Sequence, residues 1–376
     1  MAAIMAAIME ITENIMRRMR EPSTKLHNAL YFMSGMMVVI LALVIVAGVK
    51  TKAENAGFHI AEDTENSYEQ QVAGQTDTTQ DSGQEKWQEG VVAYQGKEYL
   101  YNTDIKTYLM MGVDINGPVQ QSSDYTQGGQ SDALFLLVVN NKTEQLQVIS
   151  INRNTMADIE LCDEEGIDMG PLKTQICLQH AFGDGKRLSC SKTVDAVSGL
   201  FQNIPISGYL AMNMGGIPQM NDAVGGVEVT VRQDISFPKA GVNLKKGQKV
   251  TLNGTQAYYY LHGRDTEEYD SATKRLQREE QYIVAYMDKL KKVSTENPDQ
   301  VTEIYNSVSD YLVTSVDFTS MIEQLMNYGF SEDQMYTVPG KTVEGKPIDG
   351  KRYEEYHVDE DAMEELIMKV FYTPVQ

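Results

Sequence analysis

The chain has 376 residues and a formal net charge of −21, with 32 lysines and arginines against 53 aspartates and glutamates. That length suits one large domain, or two ordinary ones, plus appendages. So acidic a surface excludes general nucleic-acid binding, because most of it would repel a polyanion, and an anionic substrate would need a local cluster of arginines. Five histidines are scattered, and Cys162, Cys177 and Cys190 form no CxxC pattern, so no zinc site is legible. Cys177 and Cys190 would be free to form a disulfide if exported, leaving Cys162 odd. The 21 tyrosines suit either a groove for sugars and lipid headgroups or ordinary core and rim positions.

In chain order, residues 1–28 read as a cytoplasmic amino-terminal segment, with residues 1–20 either an amphipathic surface helix or a disordered tail. Residues 29–49, ALYFMSGMMVVILALVIVAGV, carry no charge. As a helix they are long enough to cross a hydrocarbon core about 30 Å thick. Arg17, Arg18, Arg20 and Lys25 precede this transmembrane helix, and only Lys50 and Lys52 follow it closely. The positive-inside bias therefore puts the amino terminus in the cytoplasm and the remainder outside, behind an uncleaved anchor. Residues 50–90 are a polar linker too poor in apolar side chains to fold alone. Residues 91–376 are expected to be the extracellular domain, with a core at 107–292 and a carboxyl-terminal helical extension at 293–376.

Within that domain VVAYQGKEYLYN reads as a hairpin. Three strands follow: 108–113, closed by Asp114; 133–139, opened by Ser131 and Asp132; and 145–151, closing on Arg153. If the turn between the last two centres on Lys142-Thr143, Asp132 lies opposite Arg153. Asp114 ends at the same edge if the first strand is antiparallel to the second. That set is either a functional cluster or a surface salt bridge beside an unrelated aspartate. Residues 177–182 read as the start of a helix interrupted by Gly183-Asp184-Gly185, and 191–202 as a helix entered through Ser191. A strand at 209–214, a short helix at 217–224 and a strand at 227–231 come next. Helices at 272–292, 301–312 and 317–328 follow, then a loop rich in glycine, lysine and proline, and a last helix at 359–371. This order predicts an α/β fold with a mixed, partly antiparallel central sheet sandwiched by helices.

Two carboxylates, Asp114 and Asp132, suit magnesium, which takes one or two of them and completes its octahedron with water and phosphate oxygens. Arg153, Arg264, Arg275 and Arg278, with His262, suit the remaining phosphate oxygens, because the guanidinium fork binds them bidentately. Arginines near a helix start oppose the dipole preference for acidic residues there. They indicate an anionic ligand or an exposed basic face. Together the set describes a pyrophosphate clamp.

The succession GVD, SDALFLL, ISINRNT, NDAVGGVEVTV, HGR and RLQREEQYI, behind an amino-terminal span, resembles the LytR-CpsA-Psr family. The resemblance covers roughly residues 107–292. It implies a membrane-anchored, magnesium-dependent phosphotransferase that moves a glycopolymer, such as teichoic acid or capsular polysaccharide, from an undecaprenyl-pyrophosphate carrier to peptidoglycan. It further implies metal ligands at Asp114 and Asp132, pyrophosphate-binding residues at Arg153, His262, Arg264, Arg275, Arg278 and Glu279, and an apolar groove for the polyprenyl chain. Catalysis would fall to Asp114, Asp132 and Arg153, and the acceptor would be a muramic acid C6 hydroxyl. Three positions depart from the pattern. His262 replaces the first arginine of Arg-x-Arg, Asn154 replaces the aspartate of IPRDT, and Glu279 replaces a glutamine. These departures leave room for a non-catalytic regulator that binds polyprenyl phosphate or wall polymer, or for a polyprenyl-pyrophosphate hydrolase.

Overall fold

The computed structural model describes residues 91–376 apart from 265–267, 298, 318–320, 323–325, 347–352 and 376. The predicted cytoplasmic segment, membrane span and linker at 1–90 lie outside the described residues. Among the described residues no helix is long and apolar enough to cross a membrane.

Six strands form the central sheet: β1 (Ile105–Val113), β2 (Ser131–Asn140), β3 (Gln145–Ile151), β4 (Gly208–Asn213), β5 (Leu312–Thr314) and β6 (Met335–Thr337). Their order is β5-β4-β1-β2-β3-β6. The β1/β2, β2/β3 and β4/β5 pairs are antiparallel, whereas β1/β4 and β3/β6 are parallel. The sheet is therefore mixed, as the sequence predicts. On central β2, Leu134, Leu136 and Val138 point to one face and Phe135, Leu137 and Val139 to the other. Both faces are covered, which explains why this strand is a continuous apolar run rather than an alternating one.

The α-helices that are described in full are α1 (Arg187–Leu200), α2 (Ile217–Ala223), α3 (Gly254–His262), α4 (Ser271–Glu296), α5 (Gln300–Val308) and α6 (Glu360–Phe371), and the helix expected at 317–328 lies partly outside the described residues. Val197 of α1 and Leu366, Ile367 and Phe371 of α6 join the core on the Leu134 face. Leu276, Ile283 and Met287 of α4 pack on the Phe135 face.

Several expectations need correction. Helix α1 begins at Arg187, before Ser191, because the Asp184 carboxylate accepts from the amides of Lys186 (2.8 Å), Leu188 (3.1 Å) and Ser189 (3.3 Å). An acidic group there satisfies several orphan donors and complements the helix dipole. In place of the α-helix expected at 177–182 stands a short 3-10 turn, Ile176–Ala181, with Phe182 just past its end. Between β3 and that turn lies an unpredicted hairpin, Met156–Cys162 with Asp168–Gln175. Its second strand is largely exposed and holds Gly170 and Pro171, which erase the apolar alternation. The predicted helix at 301–312 stops at Val308.

The carboxyl-terminal extension is mixed rather than helical. Besides α5 and α6 it contains β5, β6 and a hairpin of Gly340–Glu344 with Glu354–Val358, where the sequence predicts a loop. Its last strand, Tyr372–Pro374, adds to the predicted hairpin Val91–Tyr94 and Lys97–Tyr101. Both edges of the central sheet thus come from beyond residue 292, so a core confined to 107–292 is incomplete. All three cysteines are buried free thiols, so Cys177 and Cys190 are not bridged.

Candidate functional site

The end of β1, the start of β2 and the end of β3 meet at one edge of the sheet. Leu134 pairs with Ile151 and Asn140 with Gln145, the register predicted from the turn. Asp132 accordingly lies across from Arg153, whose Nε is 2.8 Å from Oδ1. The contact is an ion pair without hydrogen-bond alignment, for neither atom has an aligned partner.

Gln130 organises this edge and has no place in the sequence reading. Its carbonyl accepts from the amides of Asp114 (2.9 Å) and Asp132 (3.1 Å), and its side-chain oxygen accepts from Arg153 Nη2. Gln130 stands just before β2, and the bond from the Asp132 amide back to its carbonyl closes a tight turn that no strand period signals.

From α4, Arg275 Nη1 donates to Asp132 Oδ2 at 2.8 Å and Nη2 to the Asp132 carbonyl at 2.7 Å. Arg275 Nε lies 3.2 Å from Glu279 Oε1, one helical turn on. A chain of alternating charge therefore runs Arg153, Asp132, Arg275, Glu279, almost wholly out of solvent. Burial pushes the Asp132 carboxyl up, but Arg275 and then Arg153 outweigh it, leaving it below the usual carboxylate range. Burial likewise opposes the charge on Arg275, which Glu279 and Asp132 more than restore. For Glu279 burial wins over Arg275, and its carboxyl is pushed up to about 7.

The other predicted residues divide. Arg264 is half-buried, and its Nη1 donates to Ser271 Oγ at 3.2 Å. Burial and the neighbouring Arg275 and Arg153 all disfavour its charge, so an added anion would relieve it. Arg278 is fully buried, with Nε donating to the Tyr260 carbonyl at 2.6 Å and Nη2 to that of Gly263. It ties down the last turn of α3 and the approach to Arg264, underneath the site, and burial brings it down to about 10. His262 Nε2 is 3.9 Å from Asp114 Oδ1, and Nδ1 is 3.0 Å from Met214 Sδ. Burial outweighs Asp114 and pushes the ring's pKa below its ordinary value.

The Asp114 side chain is 48% exposed, against 6% for Asp132. Among the described residues no three of histidine, cysteine, aspartate and glutamate group as a metal site. Asp114 and Asp132 offer oxygen donors of the kind a hard cation takes, and the Asp132 carboxylate already faces the guanidiniums of Arg153 and Arg275, each at 2.8 Å.

Behind the charged chain is an apolar cavity of about 220 Å³. It lies between the sheet and α4, with Met110, Phe135, Leu137, Ile283 and Met287 on its walls. Glu279 is the one charged side chain among the described residues lining it, so the ionic chain ends where the cavity begins.

A family model described as the LytR_cpsA_psr family matches residues 61–370. Among curated proteins the chain is similar to a polyisoprenyl-teichoic acid–peptidoglycan teichoic acid transferase TagU of Enterococcus faecalis. The two are 29% identical over 231 residues, 61% of this chain and 67% of that protein. It is also similar to biofilm regulatory protein A of Streptococcus mutans, 26% identical over 242 residues, 62% of this chain and 55% of that one. The chain thus spans about two thirds or less of these relatives. Among solved structures, B. subtilis TagV superposes with a TM-score of 0.55 at 22% identity, covering 72% of this chain and 96% of its own. TagT bound to LI-WTA superposes at 0.51 and 19%, covering 71% and 90%. These two show a shared fold. Because the family match takes in every strand of the central sheet and the arginine-bearing α4, the chain belongs to the LytR_cpsA_psr family.

Proposed function

We propose that this protein is a membrane-anchored phosphotransferase that moves a glycopolymer from a polyprenyl-pyrophosphate carrier to peptidoglycan, as the names of its TagU relatives suggest. The observation that carries the reading is the continuity of the ionic chain with the apolar cavity. A lipid pyrophosphate has that same shape, a greasy tail joined to a concentrated negative charge. In a chain of net charge −21, a cluster of arginines around one aspartate is a local basin for such a headgroup.

In this reading the polyprenyl tail enters the cavity past Glu279, while Arg153 and Arg264 face the phosphates. Arg275 holds Asp132 in place from beneath, and Arg278 holds the Arg264 loop. An acceptor hydroxyl attacks the glycan-linked phosphorus. The new P–O bond forms as the anhydride P–O bond breaks, and polyprenyl phosphate leaves. His262, whose charged form burial disfavours, takes the hydroxyl proton. Magnesium, held by Asp114 and Asp132, would neutralise charge developing on the leaving phosphate. The domain acts outside the cell, held there by the span at 29–49 with the amino terminus in the cytoplasm.

Full-length protein in detergent, given a polyprenyl-pyrophosphate oligosaccharide, peptidoglycan and magnesium, should transfer the glycan. Arg153→Ala should lower the rate at least about 100-fold, the usual cost of removing one group that stabilises transition-state charge, and chelation of magnesium should abolish transfer. Equal rates for wild type and Arg153→Ala would end the catalytic claim. A second reading, a non-catalytic receptor for the carrier, is favoured by the burial of Arg278, whose guanidinium is taken up by backbone carbonyls and leaves one arginine fewer for the phosphates. Retention of polyprenyl phosphate without turnover would select it. Phosphate release without acceptor would select a hydrolase.

A further inference from the structure

The turn that launches α4 is held from outside the predicted core. Asp270, just ahead of the helix, has a left-handed backbone with φ 58° and ψ 29°. Side chains other than glycine adopt this conformation rarely, and it persists where surrounding contacts over-determine it. Those contacts come from the carboxyl-terminal hairpin. Glu354 Oε1 accepts from the Asp270 amide, Thr342 Oγ1 donates to Asp270 Oδ1 at 2.6 Å, and Tyr269 Oη donates to the Thr342 carbonyl at 2.9 Å.

The same glutamate reaches the end of β3. Its Oε2 accepts from Asn154 Nδ2 at 3.5 Å, and its carbonyl accepts from Gln175 Nε2 at 2.6 Å. Two residues on, the Tyr356 amide donates to the Asn154 carbonyl at 2.8 Å. One carboxylate thus joins Asn154, the neighbour of Arg153, to Asp270, at the start of the helix that carries Arg275.

We propose that Glu354 is a positioning residue that sets the spacing of Arg153 and Arg275 across Asp132, with the carboxyl-terminal hairpin as the clamp. This role rests on the pyrophosphate site proposed above. The first amides of a helix have no acceptor within it, so the turn at Asp270 depends on contacts from elsewhere. Loosening it shifts Arg275, which must meet both Oδ2 and the carbonyl of Asp132. Displacements near 1 Å at such a site are enough to cost rate.

The test compares wild type, Glu354→Ala and Glu354→Gln as full-length protein in detergent, by amide hydrogen exchange and by titration with inorganic pyrophosphate and magnesium. Glu354→Ala should speed exchange at residues 270–274 about tenfold, the worth of a charge-assisted hydrogen bond, and weaken pyrophosphate binding about as much. The sheet amides should keep wild-type protection. Glu354→Gln should behave as wild type, because its Oε1 still accepts from Asp270. Its Nε2 can donate to Asn154 Oδ1, a buried acceptor with no partner, once that amide flips. Unchanged exchange at 270–274 in Glu354→Ala overturns the proposal. So does equal loss of sheet protection in both variants, which would mark a general structural role. If the exchange response appears but wild type binds no pyrophosphate, the clamp is supported and the functional reading fails.

Discussion

Glu279 combines two demands that conflict, since it lines an apolar cavity and also faces Arg275. Its folded pKa of about 7 lies above its ordinary value of 4.5. Raising pH therefore removes stability: the contribution is complete below about 4.5 and is lost as pH passes 7. Glu279→Gln should remove that dependence. The variant's melting temperature relative to wild type should rise between pH 5 and pH 8, and a constant or falling difference would contradict the burial argument. At this scale the sequence is informative where residues face each other by arithmetic, as Asp132 and Arg153 do once the hairpin turn is placed. It is uninformative about Arg278. Spacing places that arginine on the face of α4 that carries Arg275, but only the packed structure shows α3 carbonyls waiting beneath it.

Elements were legible where their period is long enough to read. The nine-residue β1, the continuous β2 and the 26-residue α4 each show their pattern plainly. Strands of three residues, LVT and MYT, do not, because they fall below any period. Helix starts fail differently, since the capping group need not be the residue next to the helix. Asp184 caps α1 from a position before the first helical residue, reaching three amides. Asp184→Ala should cost about 0.5–2 kcal/mol, as loss of a cap does, measured by urea denaturation. A cost near zero would show that water replaces the carboxylate there.

At the scale of the whole molecule, the sheet depends on its distant ends. Both edge strands, β5 and β6, and the buried face of α6, with Ile367 and Phe371, come from beyond residue 292. A version of the domain ending at residue 292 would expose the open edges of β3 and β4 and the core face that α6 covers. It should show no cooperative thermal transition and should bind a hydrophobic dye, as partly folded chains do. A sharp calorimetric transition in that fragment would show that the carboxyl-terminal elements are additions rather than parts of the core.

By itself the sequence determined the mixed α/β class, the three adjacent strands, the register that sets Asp132 against Arg153, and the local surplus of arginines in an acidic chain. These follow from short-range rules: side-chain period, turn position and charge. Only the tertiary structure decided which arginines pair with Asp132 and which is taken up by backbone carbonyls, that Gln130 and Glu354 bond across this edge, and that an apolar cavity lies behind Glu279. Apart from the nearer contacts of Gln130, these depend on partners more than a hundred residues apart or on burial, as with Asp132 and Arg275. Neither pairing across such distances nor the loss of solvent that sets a pKa is written into local spacing.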